Sequence, residues 1–186
     1  MCHATLQDPK LYSFLLWIDQ DLAAQARAVG CACGGLLHSA RYPRKPRGAP
    51  QELREPYRWR LSFCCATCRR RTTPESVRYL GRRVYLAAVV VLLSAMHYGL
   101  SAKREQRLTE LLTVPRRTLQ RWRAWWLEQF AQTSLWKGAC ARFLPPVQMK
   151  ALPASLLERF SGEDIQSRLI QLLRFLSPLS TLGAGA

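Results

Sequence analysis

Four of the seven cysteines form two pairs, Cys31-x-Cys33 and Cys65-x-x-Cys68, which lie about thirty residues apart. Thiolates bind zinc in a tetrahedral arrangement, and two thiolates on one tight turn supply two adjacent corners of that tetrahedron. The glycine pair after Cys33 allows the backbone to turn so that its amides face the sulfurs. We therefore expect one structural zinc ion per chain, held by Cys31, Cys33, Cys65 and Cys68.

The spacing leaves alternatives open for this site. The first pair has one intervening residue rather than the usual two, Cys64 stands beside Cys65, and His38 is a further possible ligand. Buried free thiols or a redox pair would also explain the cysteines, although Cys-Ala-Thr-Cys lies on no βαβ pattern. Cys2 and Cys140 are isolated, and we expect neither to bind metal.

Positive charge follows both cysteine pairs. The chain of 186 residues has a net charge of +16, and residues 41–123 hold 20 of its 28 Lys and Arg but only five of its 12 Asp and Glu. Such a concentration predicts a polyanionic partner, either nucleic acid or an anionic membrane. The residues expected to grip phosphates are Arg44, Lys45, Arg47, Arg69, Arg70 and Arg71.

A second pattern, in residues 103–126, predicts a helix-turn-helix. One helix is expected over 102–112 and another from Pro115 to about Gln132, with an apolar stripe at Leu119, Trp122, Trp126 and Phe130. The opposite face carries Arg117, Gln120 and Arg121, with Arg116 at the N-terminal edge. Arginine pairs with guanine and glutamine with adenine in the major groove, so we expect these four residues to contact DNA. The alternative is an amphipathic helix with a solvated basic face.

These motifs together resemble the zinc-ribbon plus helix-turn-helix proteins of bacterial transposable elements. The resemblance covers about residues 8–132 and is carried by "CACGGLLHSARYPRKPRG", "FCCATCRRRTTPESVRYLGRRVYLAAVVVL" and "TVPRRTLQRWRAWW". It implies a zinc ribbon on the four cysteines and a recognition helix at 115–124. A transposase would continue into a domain with three acidic metal ligands, but only 54 residues follow position 132. The resemblance therefore implies a DNA-recognition or accessory component that lacks the catalytic domain.

The expected fold is mainly α with a small β zinc ribbon. We divide the chain into an N-terminal helix at 1–30, a zinc-ribbon module at 31–83, a helix-turn-helix domain at 84–132, and a linker with C-terminal helices at 133–186. Asp8-Pro9 predicts the start of the first helix. Alternation in "YRWRLSF" (57–63) predicts a strand with Tyr57, Trp59, Leu61 and Phe63 on one side, opposite Arg58, Arg60 and Ser62.

The sequence thus favours a sequence-specific DNA-binding protein, of cytoplasmic and nucleoid-associated location. Its expected partners are double-stranded DNA, a transposase or recombinase, and a second copy of the chain. A transcriptional regulator of a chromosomal or phage gene is the alternative. A nuclease is less favoured, because residues 41–123 hold five scattered glutamates and no paired metal-binding carboxylates. A single membrane span over 84–102 is also less favoured, because its second half is rich in polar residues and glycine.

Overall fold

The chain is mainly helical and carries a small amount of antiparallel sheet. The computed structural model describes residues 2–48, 51–81, 83–97 and 114–181. Its helices are α1 (Cys2–Gln7), α2 (Pro9–Val29), α3 (Arg54–Tyr57), α4 (Ala87–His97), α5 (Arg116–Ala124), α6 (Ser134–Ala139), α7 (Ala154–Leu157) and α8 (Ile165–Leu176). The strands are β1 (Leu37–Ser39), β2 (Tyr42–Pro43), β3 (Trp59–Arg60), β4 (Phe63–Cys65) and β5 (Arg71–Thr72). The expected combination of helices with a small sheet is confirmed.

The strands form two separate antiparallel sheets. Three strands lie in the order β1-β4-β5, and β2 pairs with β3 alone. In the larger sheet Leu37 lies opposite Cys65, and Cys64 lies between His38 on one side and Arg71 on the other. Because alternate residues of a strand point to opposite faces, Cys64 and Cys65 point to opposite faces of this sheet.

The first long helix begins and ends as its sequence predicts. The Asp8 side chain accepts a hydrogen bond from the Lys10 amide, and Pro9 is the first helical residue. The helix ends at Gly30, whose φ of 77° lies in the left-handed region that favours glycine. The apolar stripe of α2, which includes Leu11, Leu15 and Ile18, is buried.

The single strand predicted over 57–63 is wrong. Tyr57 ends α3, and the rest of this stretch is divided between β3 and β4, which belong to different sheets. Trp59 is 42% exposed, whereas Arg60 and Ser62 are buried. Arg60 tolerates burial because its Nη2 donates to the Pro74 carbonyl, and such acceptors are not visible in a local alternation pattern.

The described residues form two compact units. The first contains residues 3–87 and the chain from Leu173 onward, and the second contains residues 88–172. The N-terminal helices therefore belong to the same unit as the cysteine turns, whereas the sequence suggested four consecutive segments. The chain re-enters the first unit at Leu173, and further along the Ser180 hydroxyl accepts a hydrogen bond of 2.8 Å from the Ser76 amide.

The first unit has a polar centre. Asp19 on α2 forms an ion pair with Arg78, with 2.7 Å between Oδ2 and Nε, and neither side chain is exposed to solvent. Ser76 Oγ and the Val77 amide also donate to Asp19. Arg78 in turn donates to the backbone carbonyls of Pro56 and Trp59, and its guanidinium lies over the Tyr57 and Tyr79 rings. These contacts satisfy a charge pair that would otherwise be costly to bury.

The second unit has an aromatic core. The helical segment that begins with α5 continues through a π-helical turn at Trp125–Gln129 and a 3-10 turn at Phe130–Gln132. Trp126 and Phe130 are fully buried, with 5.0 Å between ring centroids, and Phe130 packs on Trp136 of α6. The helix expected over residues 115–132 is thus confirmed, and its tryptophans 122 and 126 are core residues.

Two expectations for other helices have different outcomes. The helix predicted over 102–112 lies outside the described residues. Within the described ranges, no helix is both long enough and apolar enough to cross a membrane.

Candidate metal centre and nucleic-acid interface

Four cysteine sulfurs from two distant parts of the chain meet in one cluster. The Sγ atoms of Cys31, Cys33, Cys65 and Cys68 all lie within 4.8 Å of one another. Three of the separations, Cys31–Cys68, Cys31–Cys33 and Cys33–Cys65, are 3.5 Å. Four sulfurs around a zinc ion at Zn–S distances of about 2.3 Å would be separated by about 3.8 Å, so this cluster has the dimensions of a tetrahedral metal site.

Each cysteine pair lies on a tight turn, which is closed by a hydrogen bond from the amide after the second cysteine to the carbonyl of the first. In the first cysteine turn (residues 31–35) the Gly34 amide donates to the Cys31 carbonyl at 2.8 Å. In the second cysteine turn (residues 65–70) the Arg69 amide donates to the Cys65 carbonyl at 3.1 Å. A bond of 2.9 Å from the Ala66 amide to the Leu36 carbonyl joins the two turns, so the β1–β4 pairing brings the four sulfurs together.

A small apolar cluster supports the site from behind. Ala23 of α2 packs with Leu37 of β1 and with Phe63 and Cys65 of β4, and Cys31 lies against this group. Cys65 is fully buried, whereas Cys33 and Cys68 are exposed. The site is therefore anchored on one side and open to solvent on the other, which is suitable for a structural metal at the edge of a module.

Gly35 leaves space that the sulfur cluster occupies. A Cβ atom built on Gly35 would lie 2.6 Å from Cys65 Sγ and 2.6 Å from Thr67 Oγ1. Such distances are shorter than any van der Waals contact, so only glycine fits here without displacing a sulfur. The close approach of the Gly35 backbone to Cys65 Sγ supports the cluster independently of the cysteine spacing.

The pKa values of two cysteines in the cluster move in opposite directions. The Cys68 and Thr67 amides lower the pKa of Cys65 to about 6, together with hydrogen bonds from Cys33 and Cys68 and against the effect of burial. The Arg70 amide lowers the pKa of Cys68, but hydrogen bonds with Cys33, Cys31 and Cys65 outweigh it and raise that pKa to about 12. Thiols in such close contact share protons, and a bound cation would replace those protons.

The two alternative ligands lie outside the cluster. Cys64 points to the other face of its strand, where its Sγ is 3.5 Å from the Arg69 carbonyl oxygen. His38 lies opposite Cys64 on β1 and is likewise absent from the group. Cys140 lies on a 3-10 turn after α6, where it is exposed, and it is not part of the sulfur cluster. The side chain of Cys2 is outside the described residues.

No family model, curated protein or solved structure matches this chain. The donor set must therefore be interpreted from its own chemistry. Four thiolates in a tetrahedral arrangement suit zinc or iron far better than they suit hard cations such as magnesium or calcium. The sulfur cluster is consistent with a structural metal.

The basic residues near the cysteines differ in what they contact. Lys45, Arg47, Arg69, Arg70 and Arg71 are exposed. Arg44 is different, because its Nη2 donates to the carbonyl oxygens of Arg83 at 3.0 Å and Gly81 at 3.5 Å, and its guanidinium lies 5.0 Å from the Tyr79 ring centroid. The structure thus gives Arg44 a role in the fold rather than the free position expected from the sequence.

Helix α5 separates its residues into two faces as expected. Leu119 and Trp122 are buried, while Arg116, Arg117, Gln120 and Arg121 are exposed. Arg121 Nη2 donates to Thr118 Oγ1 at 3.3 Å, so this side chain leans along one edge of the exposed face. Arg123 is also exposed. It was not among the expected DNA contacts, because those were chosen from the residues directly opposite the apolar stripe.

Two arginines counted as part of the basic segment are buried. Arg60 is 1% exposed and Arg78 is 0% exposed, and both stabilise the core of the first unit. Burial also lowers the pKa of Arg83 to about 10. The charge that residues 41–123 offer to a partner is therefore smaller than the sequence count suggests. The sequence contains one indication that an arginine is buried. Asp19 follows Leu15 by four residues and so lies on the apolar side of α2, where a carboxylate needs a buried cationic partner.

Proposed function

We propose that this protein is a sequence-specific binder of double-stranded DNA, in which α5 reads base edges and a metal-stabilised module contacts phosphates. The observation that carries the proposal is the division of α5 into two faces. Its exposed face presents Arg117, Gln120 and Arg121, while Leu119 and Trp122 anchor the helix in the second unit. A basic helix held rigidly by one face is suited to enter a groove with the other.

The dimensions and chemistry of α5 support this role. An α-helix with its side chains is about 10–12 Å wide, which matches a major groove about 12 Å wide. Arg117 and Gln120 lie near the middle of the exposed face and are suited to guanine and adenine edges. We further propose that α5 is the recognition helix of a helix-turn-helix, with the buried Val114 placed immediately before it.

We infer that the cluster binds one zinc ion and that its role is structural. The donor set of four thiolates, the fit around Gly35 and the apolar cluster behind Cys65 support this assignment. The strands of the first unit are only two or three residues long, so a metal that joins residues 31–35 to residues 65–70 would contribute directly to its folding free energy.

The exposed cations of the first unit support phosphate contacts. Lys45, Arg47, Arg69, Arg70 and Arg71 are solvent-exposed, and among the described residues none of them forms an ion pair. Phosphate contacts supply most non-specific affinity and make it salt-dependent. Residues such as these position a protein on the duplex, whereas base contacts select the site.

The motif resemblance favours a role with a bacterial transposable element, as the DNA-recognition or accessory component beside a separate transposase or recombinase. Location at the nucleoid in the cytoplasm follows from that role, and a two-fold dimer would suit inverted repeats. Regulation of a chromosomal or phage gene is the second candidate, because the same DNA-binding surfaces would serve it. The proposal is for a binding protein without catalytic activity.

Selection of binding sites from a random duplex pool, using purified zinc-loaded protein, tests the proposal. We expect a consensus site, and an affinity for it at least a hundredfold above that for a scrambled duplex at the same salt concentration. Enrichment of no sequence, or equal affinity for both duplexes, would contradict specific recognition.

A matched pair of variants then tests α5 itself. Arg117→Ala should reduce the preference for the consensus, with its effect confined to one or two base positions. Lys137→Ala removes an exposed cation from α6 in the same unit and should leave the preference unchanged. If the two variants behave alike, α5 does not read the bases.

A further inference from the structure

The two cysteine turns differ in length by one residue, but each has a left-handed residue at its closing position, and the residue type at that position differs. The residue after the second cysteine of each pair has a left-handed backbone: Gly34 follows Cys33 with φ of 76°, and Arg69 follows Cys68 with φ of 58°. Each of these residues closes its turn by donating its amide to the carbonyl of the first cysteine of the pair. Gly34 and Arg69 are therefore equivalent positions.

Glycine is the residue expected at both positions. L-amino acids with a Cβ atom are strained in the left-handed region, and glycine is not. Arg69 is the one non-glycine residue with positive φ in the described part of the chain, which elsewhere places Gly30, Gly48 and Gly81 at such angles. Backbone strain of this kind persists where the surrounding structure enforces it, and it is concentrated at functional sites.

The Arg69 side chain has no evident role in the fold. It is exposed, and within the described ranges it forms no ion pair and no side-chain hydrogen bond. Arg70 and Arg71 are exposed beside it, and the Arg71 guanidinium lies 5.8 Å from the Tyr42 ring centroid. By contrast, the first cysteine turn contains no charged residue, and it is followed by Leu36, which is 67% exposed.

The sulfur cluster also fixes the backbone that carries these arginines. The Arg69 amide donates to the Cys65 carbonyl at 3.1 Å, and the Cys65 amide donates to the Arg70 carbonyl at 3.0 Å, so the backbone of the arginines is bonded to a cysteine of the cluster. Metal bound by these sulfurs would hold residues 67–70 in place, and metal loss would release them.

We propose that the second cysteine turn is a metal-dependent phosphate clamp, and that arginine is retained at position 69, against the backbone preference for glycine, because its guanidinium contacts the nucleic-acid backbone. This inference rests on the proposed function and adds to it a difference between the two cysteine turns. The second cysteine turn faces the duplex, and the first does not. Arg69 and Arg70 on this turn, with Arg71 at the start of β5, present three consecutive guanidinium groups to phosphates, which accept bidentate hydrogen bonds from arginine.

Variants at position 69 separate the backbone effect from the side-chain effect. Arg69→Gly and Arg69→Asn both suit a left-handed backbone, so they should keep the zinc content and have a melting temperature equal to or above that of the wild type. Both should bind the selected duplex and a scrambled duplex several-fold more weakly, by the same factor. Their log–log salt slope should be smaller by about 0.9, which corresponds to one phosphate contact. Arg69→Lys should retain most of the affinity, and Arg27→Ala, an exposed cation on α2, should retain all of it.

Each contrary result has a distinct meaning. Unchanged affinity of Arg69→Gly for both duplexes, while Arg117→Ala still loses the consensus preference, would overturn the clamp and leave the proposed function standing. Loss of zinc or of stability in Arg69→Gly would also overturn it, because the arginine would then be structural. If the wild-type protein binds neither duplex, the proposed function fails and the clamp fails with it.

Discussion

Asp19 and Arg78 form an ion pair that is completely enclosed by the first unit, with 2.7 Å between Asp19 Oδ2 and Arg78 Nε. The two residues are 59 positions apart in the chain, so their contact joins α2 to the segment before α4. Removing one partner from such a pair leaves an uncompensated buried charge, which costs far more than the pair itself contributes.

We predict that Asp19→Asn lowers the free energy of unfolding by about 3–5 kcal/mol, because the Arg78 guanidinium loses its counter-charge. Asp21→Asn is the matched control, since Asp21 is exposed on the same helix and should change stability by less than about 0.5 kcal/mol. Urea denaturation of both variants checks the prediction. Equal midpoints for the two variants would mean that the pair does not hold the unit together.

We predict that Gly35→Ala weakens metal binding on the order of tenfold or more, because its Cβ atom would lie 2.6 Å from Cys65 Sγ. Gly138→Ala is the control, since a Cβ atom at that helical position meets nothing within 4 Å. It should leave metal affinity unchanged and raise stability by up to about 1 kcal/mol. Competition with a chromogenic chelator measures both. A Gly35→Ala protein with normal affinity would show that the sulfur cluster does not need this close approach.

We predict that Cys33→Ser loses the metal, because it removes one of four clustered thiols, whereas Cys64→Ser keeps it. Elemental analysis of folded protein should give about one zinc ion per chain for the wild type and for Cys64→Ser. Cys140→Ser, an exposed thiol outside the cluster, serves as a second control. The ligand assignment is contradicted if Cys65→Ser retains zinc while Cys64→Ser loses it.

We predict that Trp122→Ala destabilises the second unit by about 3–5 kcal/mol, because it removes a large buried aromatic side chain. Arg121→Ala, one position earlier and exposed, should change stability by less than about 0.5 kcal/mol. Thermal melts compare the two variants. A stable Trp122→Ala protein would mean that the two faces of α5 are assigned the wrong way round.

Local patterns in the sequence were sufficient for features that depend on near neighbours. Asp8 and Pro9 predicted the start of α2, and the spacing of Leu119 and Trp122 predicted the buried face of α5. The cysteine spacing predicted which four thiols cluster, because short turns constrain their sulfurs strongly.

Features that depend on distant partners could not be predicted in this way. The alternation puts Arg60 with Arg58 on the polar side of a strand, because nothing near it in sequence shows that the Pro74 carbonyl and Ser180 accept its hydrogen bonds. Arg44 was placed among the DNA contacts because its acceptors, the carbonyls of Gly81 and Arg83, lie almost forty residues later. Counting charge along a chain cannot distinguish such arginines from those that remain free.

The hydrogen bond between Ser76 and Ser180 has a consequence for the order of events during synthesis. The ribosome releases both cysteine pairs, and then Ser76, before it adds the 104 residues that lead to Ser180. The four clustered cysteines are therefore synthesised early, while Ser76 and Arg60 lack the late segment that completes their hydrogen bonds. A polypeptide whose translation stops before residue 173 would carry both cysteine turns and the whole of α5. It would lack the C-terminal segment of the first unit, so the polar centre of that unit would be left accessible to proteases.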